Sequence, residues 1–472
     1  MASLAGLLQR SAREHGDRVA VVAGKDSVTY AELWAAARRG AAWLAGRIVP
    51  GDRVVLQVRN GAEFVRAYYA VLAAGGVVVP LPPLSTDVEL AAVAKDSGAV
   101  LVLREGDLGD AVEPLEPLAR NDSDAAAILY TSGTSGDPKG VVLTHGNLLS
   151  NATVASRDVA RFTSGDVMLV TVQFAHAFGM TSVLNACLYA GATLIVPPRW
   201  DPAAALDLMR RHGVTVVRGV PTTYVDLLAA LAPGDEAPRL RAAFSGGAAM
   251  PVALLERVEA AFSTTVWEGY GLTEASPLVA CNQRDRGRRA GTVGHAVPGV
   301  EVRLADIAVR DAIVDAPDAV GEVVVRGPNV MAGYWQRPED TGAVLVDGWL
   351  RTGDVGEFDA DGFLRIVDRA KDVIKRGGAA VYPREVEERL TAHEAVRAAA
   401  VVGVPDERYG ERVVAAVVTR HDVAAPELTA WCRAALSSYK CPVEIRLVDA
   451  LPLGPTGKVL KRELRARWAH GA

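Results

Sequence analysis

Apolar and polar positions alternate along the chain with two periods, and the order of the periods defines the elements. Residues 4–16 are apolar at helical spacing, and residues 18–22 and 28–30 read as strands across the turn Gly24-Lys25-Asp26. Thr29 followed by Glu32 is a capping-box pattern, opening a helix that stops near Gly46. A strand (53–58), a helix (63–74), a strand (77–79), a helix (88–96) and a strand (100–103) follow. Strands alternating with helices imply a mostly parallel sheet covered on both faces. The alternation resumes with a strand at 167–170, an apolar helix after 174–179, a strand at 193–196, a helix at 203–212 and strands at 214–220 and 242–244. From Gly291 to Gly362 the pieces are short and β-rich, with Gly and Pro turns, as in a small antiparallel barrel or sheet. After Arg369 come a bend rich in lysine and glycine (371–378), a helix (384–390), strands near 398–404 and 413–418, a helix (426–437) and a basic tail. The expected fold class is α/β with α+β. A large domain, 1–370, holds layered α/β sheets and a small β-barrel-like part, and a small α+β domain covers 371–472.

Composition narrows the function classes. Half of the 472 residues are hydrophobic, enough for a large core, and the net charge of −5 argues against a nucleic-acid binder. The four cysteines, Cys187, Cys281, Cys432 and Cys441, form no C-x-x-C pair, so neither a zinc site nor a redox pair is indicated. Scattered thiols fit a reducing cytosol, and the expected location is cytoplasmic. No signal peptide is read at residues 1–10, and no apolar run reaches the roughly 18 residues of a membrane span.

Chemistry concentrates in a few strings. Between the apolar runs 125–130 and 141–143 lie Thr131, Ser132, Gly133, Thr134, Ser135, Gly136, Asp137, Pro138, Lys139 and Gly140. The flanks predict a hairpin. Glycines admit main-chain N–H groups close to a ligand, and hydroxyls and a lysine add donors, as a polyphosphate requires. It is not a Walker A loop, because Gly140 follows the lysine and a strand follows the loop. The plainer reading is a flexible turn, but Pro138 stiffens an end that a linker would leave loose. In Gly269-Tyr270-Gly271-Leu272-Thr273-Glu274, Tyr270 offers a stacking face, Thr273 a hydroxyl, and Glu274 a hard oxygen suited to Mg²⁺ on a phosphate. Taken alone, the string is also consistent with a turn and a capping acid. Asp354 can accept both hydroxyls of a ribose, and Asp368-Arg369 adds a donor. The glycines of Ser245-Gly246-Gly247-Ala248 follow a strand, where ligands approach such sheets.

These strings resemble the acyl-adenylate-forming superfamily: AMP-binding acyl-CoA synthetases, adenylation domains and luciferases. The loop at 130–140 differs from the usual form by Ser135 for a threonine, which keeps the hydroxyl. The resemblance covers nearly the whole chain. It is nearest to bacterial fatty-acyl-CoA ligases through residues 327–334 and 381–387. It implies that Thr131–Gly136 and Lys139 hold ATP phosphates, and that Tyr270 lies on adenine beside Gly246, Gly247, Ala248 and Gly271. It implies that Thr273 and Glu274 hold phosphate and Mg²⁺, and that Asp354 and Arg369 hold the ribose. Lys458, in a glycine loop, would bridge carboxylate and phosphate during adenylation. Lys371 would be the hinge of a mobile small domain, with Lys375, Gly377 and Gly378 lining the path of CoA pantetheine. Lys375 and Arg376 read equally well as a solvated basic face. His176 would border the carboxylate in a positioning role, with Ala177, Phe178, Gly271 and Ser276 around the acyl group. A lone histidine among apolar residues is otherwise a core residue. The connection between Leu103 and Ala125 is shorter than in most relatives.

The implied function is an ATP-dependent acyl-CoA ligase for a fatty or other aliphatic acid. Its partners would be a small carboxylic acid and CoA, with ATP and Mg²⁺, and no nucleic acid or membrane segment. One rival is a ligase that loads the phosphopantetheine thiol of a carrier protein. Another is an inactive nucleotide-binding regulator, against which Glu274 and Lys458 both speak. A luciferase-like oxygenase has no positive support.

Overall fold

The computed structural model describes residues 3–131, 138–232, 234–306, 319–377, 379–453 and 459–469. The chain divides into two compact units. One holds residues 1–302, 324–352 and 362–364, and the other holds 303–323, 353–361 and 365–472.

The first unit contains two sheets. Six strands pair in the order Gly333–Tyr334, Lys139–Thr144, Ala125–Thr131, Val77–Pro80, Arg53–Gln57 and Leu101–Arg104. The last four are mutually parallel. Val77–Pro80 and Leu101–Arg104 are each reached through a helix, Ala62–Ala73 and Asp87–Ser97, as the periodicity predicts, whereas Ala125–Thr131 follows an irregular connection and Lys139–Thr144 pairs back on it antiparallel. The capping box forms: the Thr29 hydroxyl accepts from the Glu32 amide at 3.2 Å, and the Glu32 carboxylate accepts from the Thr29 amide at 2.9 Å. It starts the helix Tyr30–Ala45. A cap of this kind is worth about 1 kcal/mol. The short connection after Leu103 has almost no secondary structure of its own. It is tied down through backbone bonds, Ala111 and Leu115 donating to Arg39 and Arg38, and Leu118 to Ala73.

The larger sheet has nine strands, and its centre is parallel: Val266–Gly271, Ala242–Ser245, Val216–Gly219, Val167–Val170 and Thr193–Val196 are neighbours in that order. One face is covered by the helices Pro202–His212, Pro221–Ala230 and Val252–Phe262, through a cluster that includes Leu169, Val217, Ala243, Tyr224 and Phe262. Two elements differ from the sequence expectation. The helix His145–Thr153 continues into π-helical turns at Val154–Ala160, and the apolar helix after Phe174 begins as π-helix at Phe178–Asn185. The i→i+5 pairing of these wider turns is a property that hydrophobic periodicity does not reveal.

In the second unit the strands Ala379–Val381, Ile374–Arg376, Gly410–Thr419 and Val396–Asp406 are neighbours, with Glu444–Leu447 parallel to Gly410–Thr419. The predicted bend at 371–378 therefore includes one arm of a hairpin. The long strands are apolar on both faces because both are covered. Val401, Val413, Ala415 and Val417 pack with the helices Pro383–Thr391 and Ala425–Arg433. Ala400, Val402, Val404, Val414 and Ala416 pack with Leu464 and Trp468. The basic tail is thus a helix, Lys461–Ala469, whose two large apolar residues close the second face.

All four cysteines are buried and free. Burial pushes the Cys281 thiol up to about 12 and the Cys432 thiol up to about 11, and Cys187 and Cys441 also move upward for the same reason. Among the described residues, no helix is long and apolar enough to cross a membrane.

Candidate active site

The glycine-rich string sits where the sequence puts it, between two antiparallel strands. Thr131 and Lys139 are register partners, and pairing continues through Tyr130 with Gly140 and Leu129 with Val141. Ser132, Gly133, Thr134, Ser135 and Gly136 lie outside the described residues, as do Gly378 and Lys458. Lys139 is fixed by the hairpin, and its ammonium meets the Asp340 carboxylate at 2.7 Å and lies 5.4 Å from the centre of the Tyr334 ring. Tyr334 is held by main-chain pairing of Gly333–Tyr334 with Val141–Val142, and its hydroxyl donates to the Glu274 carboxylate at 3.0 Å. A continuous contact chain, Asp340–Lys139–Tyr334–Glu274, therefore begins at the exit of the phosphate hairpin. Burial, and then Glu274, raises the Tyr334 phenol, so it stays a donor. The turn that carries Glu274 is laced to the same segment: Met331 donates to the Glu274 carbonyl at 2.9 Å, and the buried Asn329 amide donates to Ala275 and Leu278.

The roles of Tyr334 and Asp340 escaped the sequence reading. Tyr334 stood only within a string of family likeness, and Asp340 not at all. Their partners are 60 and 201 residues away, and no local spacing marks such a pair. Asp340→Asn removes the charge that holds Lys139 in place. The pair is partly exposed, so it is worth at most about 1 kcal/mol. The expected result is a change of up to about fivefold in KM for ATP, with the KM for the acid unchanged. An unchanged ATP KM in steady-state assays would exclude this restraint on Lys139.

The remaining residues of the first unit gather at the carboxyl ends of the parallel strands, where open α/β sheets bind ligands. Val167–Val170 leads to His176, Ala177 and Phe178. Ala242–Ser245 leads to Gly246, Gly247 and Ala248, and Val266–Gly271 leads to Thr273 and Glu274. A Cβ placed on Gly246 would lie 3.7 Å from the Phe178 ring and 3.5 Å from the Gly269 carbonyl, so the three segments adjoin. A Cβ on Gly271 would come within 2.1 Å of the Pro277 carbonyl, so only glycine fits there. Ser276 is fully buried at a positive φ of 69°, and among the described residues its hydroxyl has no hydrogen-bond partner. Tyr270 lies within the strand Val266–Gly271 and is only 9 % exposed.

In the second unit Asp354 is 5 % exposed and receives the Arg369 Nε at 2.9 Å. Glu322 accepts from the Gly353 amide at 3.0 Å, and the Gly353 carbonyl accepts from Ala370 at 2.9 Å, which fixes the turn before Asp354. The Lys371 ammonium is lowered by partial burial and by Arg369. Lys375 is exposed on a strand, whereas Arg376 donates to the Tyr439 carbonyl at 2.6 Å and lies over the Tyr409 ring. Gly377, at φ 59°, turns the hairpin. The loop that carries Lys458 is closed at its base by the bridge between Leu453 and Val459.

The donor set fits magnesium in one way. Among the described residues, no three His, Cys, Asp or Glu side chains could hold a metal ion together. Magnesium commonly binds through one or two carboxylates plus substrate phosphates, and Glu274 supplies one such carboxylate.

Comparison with known proteins agrees with this arrangement. The profile of the AMP-binding enzyme family matches residues 8–119 and 104–335, and that of the AMP-binding enzyme C-terminal domain matches residues 385–458. The two stretches of the first match meet at the short connection after Leu103. A long-chain-fatty-acid–CoA ligase of Bacillus subtilis is 33% identical, over 98% of this chain and 94% of that protein. A feruloyl-CoA synthase of an Amycolatopsis species is 38% identical, over 97% and 98%. Among solved structures, ATP-bound MatB from Rhodopseudomonas palustris superposes with a TM-score of 0.90 at 33% identity, over 99% of both chains. The chain belongs to the AMP-binding enzyme family. Within that family it is an AMP-forming acid–thiol ligase, the class of the curated relatives that it matches.

Proposed function

We propose that the protein is an acyl-CoA ligase working in two half-reactions. In the first, a carboxylate oxygen of the acid attacks the α-phosphorus of ATP. The bond to the β-phosphate oxygen breaks, giving acyl-adenylate and pyrophosphate. Thr131–Gly136 and Lys139 hold the departing pyrophosphate, and Tyr270, with Gly246, Gly247, Ala248 and Gly271, takes the adenine. Asp354 accepts the ribose hydroxyls and Arg369 brackets them. Thr273 and Glu274 face the phosphates, and Tyr334 orients Glu274. Magnesium, held by Glu274 and the phosphates, would neutralise charge on the transferred group. Lys458 meets the charge that develops between carboxylate and phosphorus. His176 positions the acid, with Ala177, Phe178 and Ser276 beside it.

In the second half-reaction the CoA thiolate attacks the acyl carbon, the acyl–phosphate bond breaks, and AMP leaves. Lys371 serves as the hinge of this change, and Lys375, Gly377 and Gly378 line the pantetheine path. Adenylation supplies the leaving group, so no nucleophilic serine or cysteine is required.

The observation that carries the reading is the contact chain from Lys139 through Tyr334 to Glu274, which puts a phosphate-loop cation and a metal-competent carboxylate in one rigid arrangement. The names of the relatives favour CoA over a carrier thiol. The test is ATP–pyrophosphate exchange over a panel of carboxylic acids, followed by mass spectrometry with CoA or a pantetheinylated carrier as acceptor. Acid-dependent exchange and an acyl-CoA product are expected. Failure of every acid in the panel to support exchange would overturn the ligase reading, and a product only on the carrier would overturn the choice of CoA.

A further inference from the structure

Arg218 is the most unusual buried group in the first unit. It lies on the strand Val216–Gly219, one residue before the strand's carboxyl end, and is only 2 % exposed. Among the described residues, no carboxylate reaches its guanidinium. Its acceptors are two main-chain carbonyls, Ala155 at 2.9 Å and Ser182. Both belong to the π-helical segments, Val154–Ala160 and Phe178–Asn185. Phe162 and Phe244 flank it, with ring centres 4.8 and 4.6 Å away. Among the described residues its Nε has no hydrogen-bond partner. A buried cation with these neighbours is costly, and a structural role alone is served as well by an apolar residue.

Its place explains it. Phe178 opens the π-helical segment and adjoins Gly246 at the edge where the acid is proposed to bind. Ser182 lies one turn further in, and its carbonyl is the one Arg218 holds. Met180, Thr181, Ser182, Val183 and Leu184 are all 2 % exposed or less, so the layer between this segment and the sheet is filled. An acyl chain running inward past Phe178 along this segment meets the guanidinium about one turn below the edge. To pass, it must pull the cation from two carbonyls and two rings and leave it unpaired beside a hydrocarbon tail.

We infer that Arg218 is the floor of the acid-binding pocket and restricts the enzyme to short or compact carboxylic acids, excluding long-chain fatty acids. The inference rests on the ligase reading above. It replaces the broad expectation of a fatty or aliphatic substrate with a size class.

The experiment compares kcat/KM in ATP–pyrophosphate exchange for butyrate, hexanoate, benzoate, dodecanoate and hexadecanoate. Wild type is expected to favour the small acids over dodecanoate by about tenfold or more, the scale on which pockets discriminate hydrocarbon size. Arg218→Ala is expected to raise the dodecanoate-to-butyrate ratio by about tenfold or more, with the KM for ATP within about twofold of wild type. Arg218→Met, which refills the space with a flexible apolar chain, reads the same shift if the alanine variant does not fold. Arg218→Lys should retain the preference for small acids. Hexadecanoate used by wild type as well as butyrate would overturn the inference and leave the ligase reading intact. An equal loss for every acid in both the alanine and methionine variants would reduce Arg218 to a packing residue. Failure of every acid to support exchange would overturn the ligase reading, and this inference with it.

Discussion

Replacing Lys458 with alanine is expected to slow acyl-adenylate formation by on the order of 100-fold or more, the cost of removing a charge-stabilising contact in a transition state. Attack of CoA on a supplied acyl-adenylate should keep its normal rate, because negative charge no longer builds between carboxylate and phosphorus in that step. The loop carrying Lys458 is closed below it by the pairing of Leu453 with Val459 and by a 2.8 Å bond from Leu460 to the Pro452 carbonyl. The substitution therefore leaves the core of that unit, and its melting temperature, unchanged. Single-turnover assays of the two half-reactions separate the outcomes. Equal loss in both would make Lys458 a general binding group, and no loss in either would remove it from the site.

Glu274→Gln carries the second large effect. The carboxylate charge is lost, but the new side chain still offers a carbonyl oxygen to the Tyr334 hydroxyl, so the laced turn keeps its shape. The expected result is a fall in adenylation kcat on the order of 100-fold, with a raised requirement for magnesium and little change in thermal stability. Tyr334→Phe is the graded companion. It removes the single 3.0 Å bond that orients Glu274, and a smaller loss of roughly tenfold is expected, near that for one hydrogen bond to a charged group. Full activity in Glu274→Gln at low magnesium would leave the carboxylate a purely structural role.

Local signals in the sequence were sufficient where the structure depends on neighbours in the chain. Thr29 and Glu32 are three residues apart, and the cap forms. The runs on either side of the glycine-rich string are short and apolar, as buried strands are, and Thr131 and Lys139 pair. Hydrophobic spacing fails where the partner is remote or the geometry irregular. Arg218 falls unmarked inside the predicted strand 214–220, and its burial rests on the Ala155 and Ser182 carbonyls that the two π-helical segments bring to it. The helix Lys461–Ala469 reads as a solvated basic tail, because Leu464 and Trp468 are just two apolar anchors among charges. The Lys139–Asp340 pair joins residues 201 positions apart. The acid class was equally illegible, since it depends on what fills the space behind Phe178.

The buried cysteines bear on the chemistry in another way. An acyl-adenylate is a strong electrophile that must wait for an incoming sulfur nucleophile. An enzyme with accessible, ionisable thiols of its own would present competing acceptors to that intermediate and label itself with each escaped acyl group. Here every cysteine is enclosed, and burial holds each one protonated at neutral pH. The protein is in this sense transparent to its own intermediate, which is left to the thiol delivered from outside.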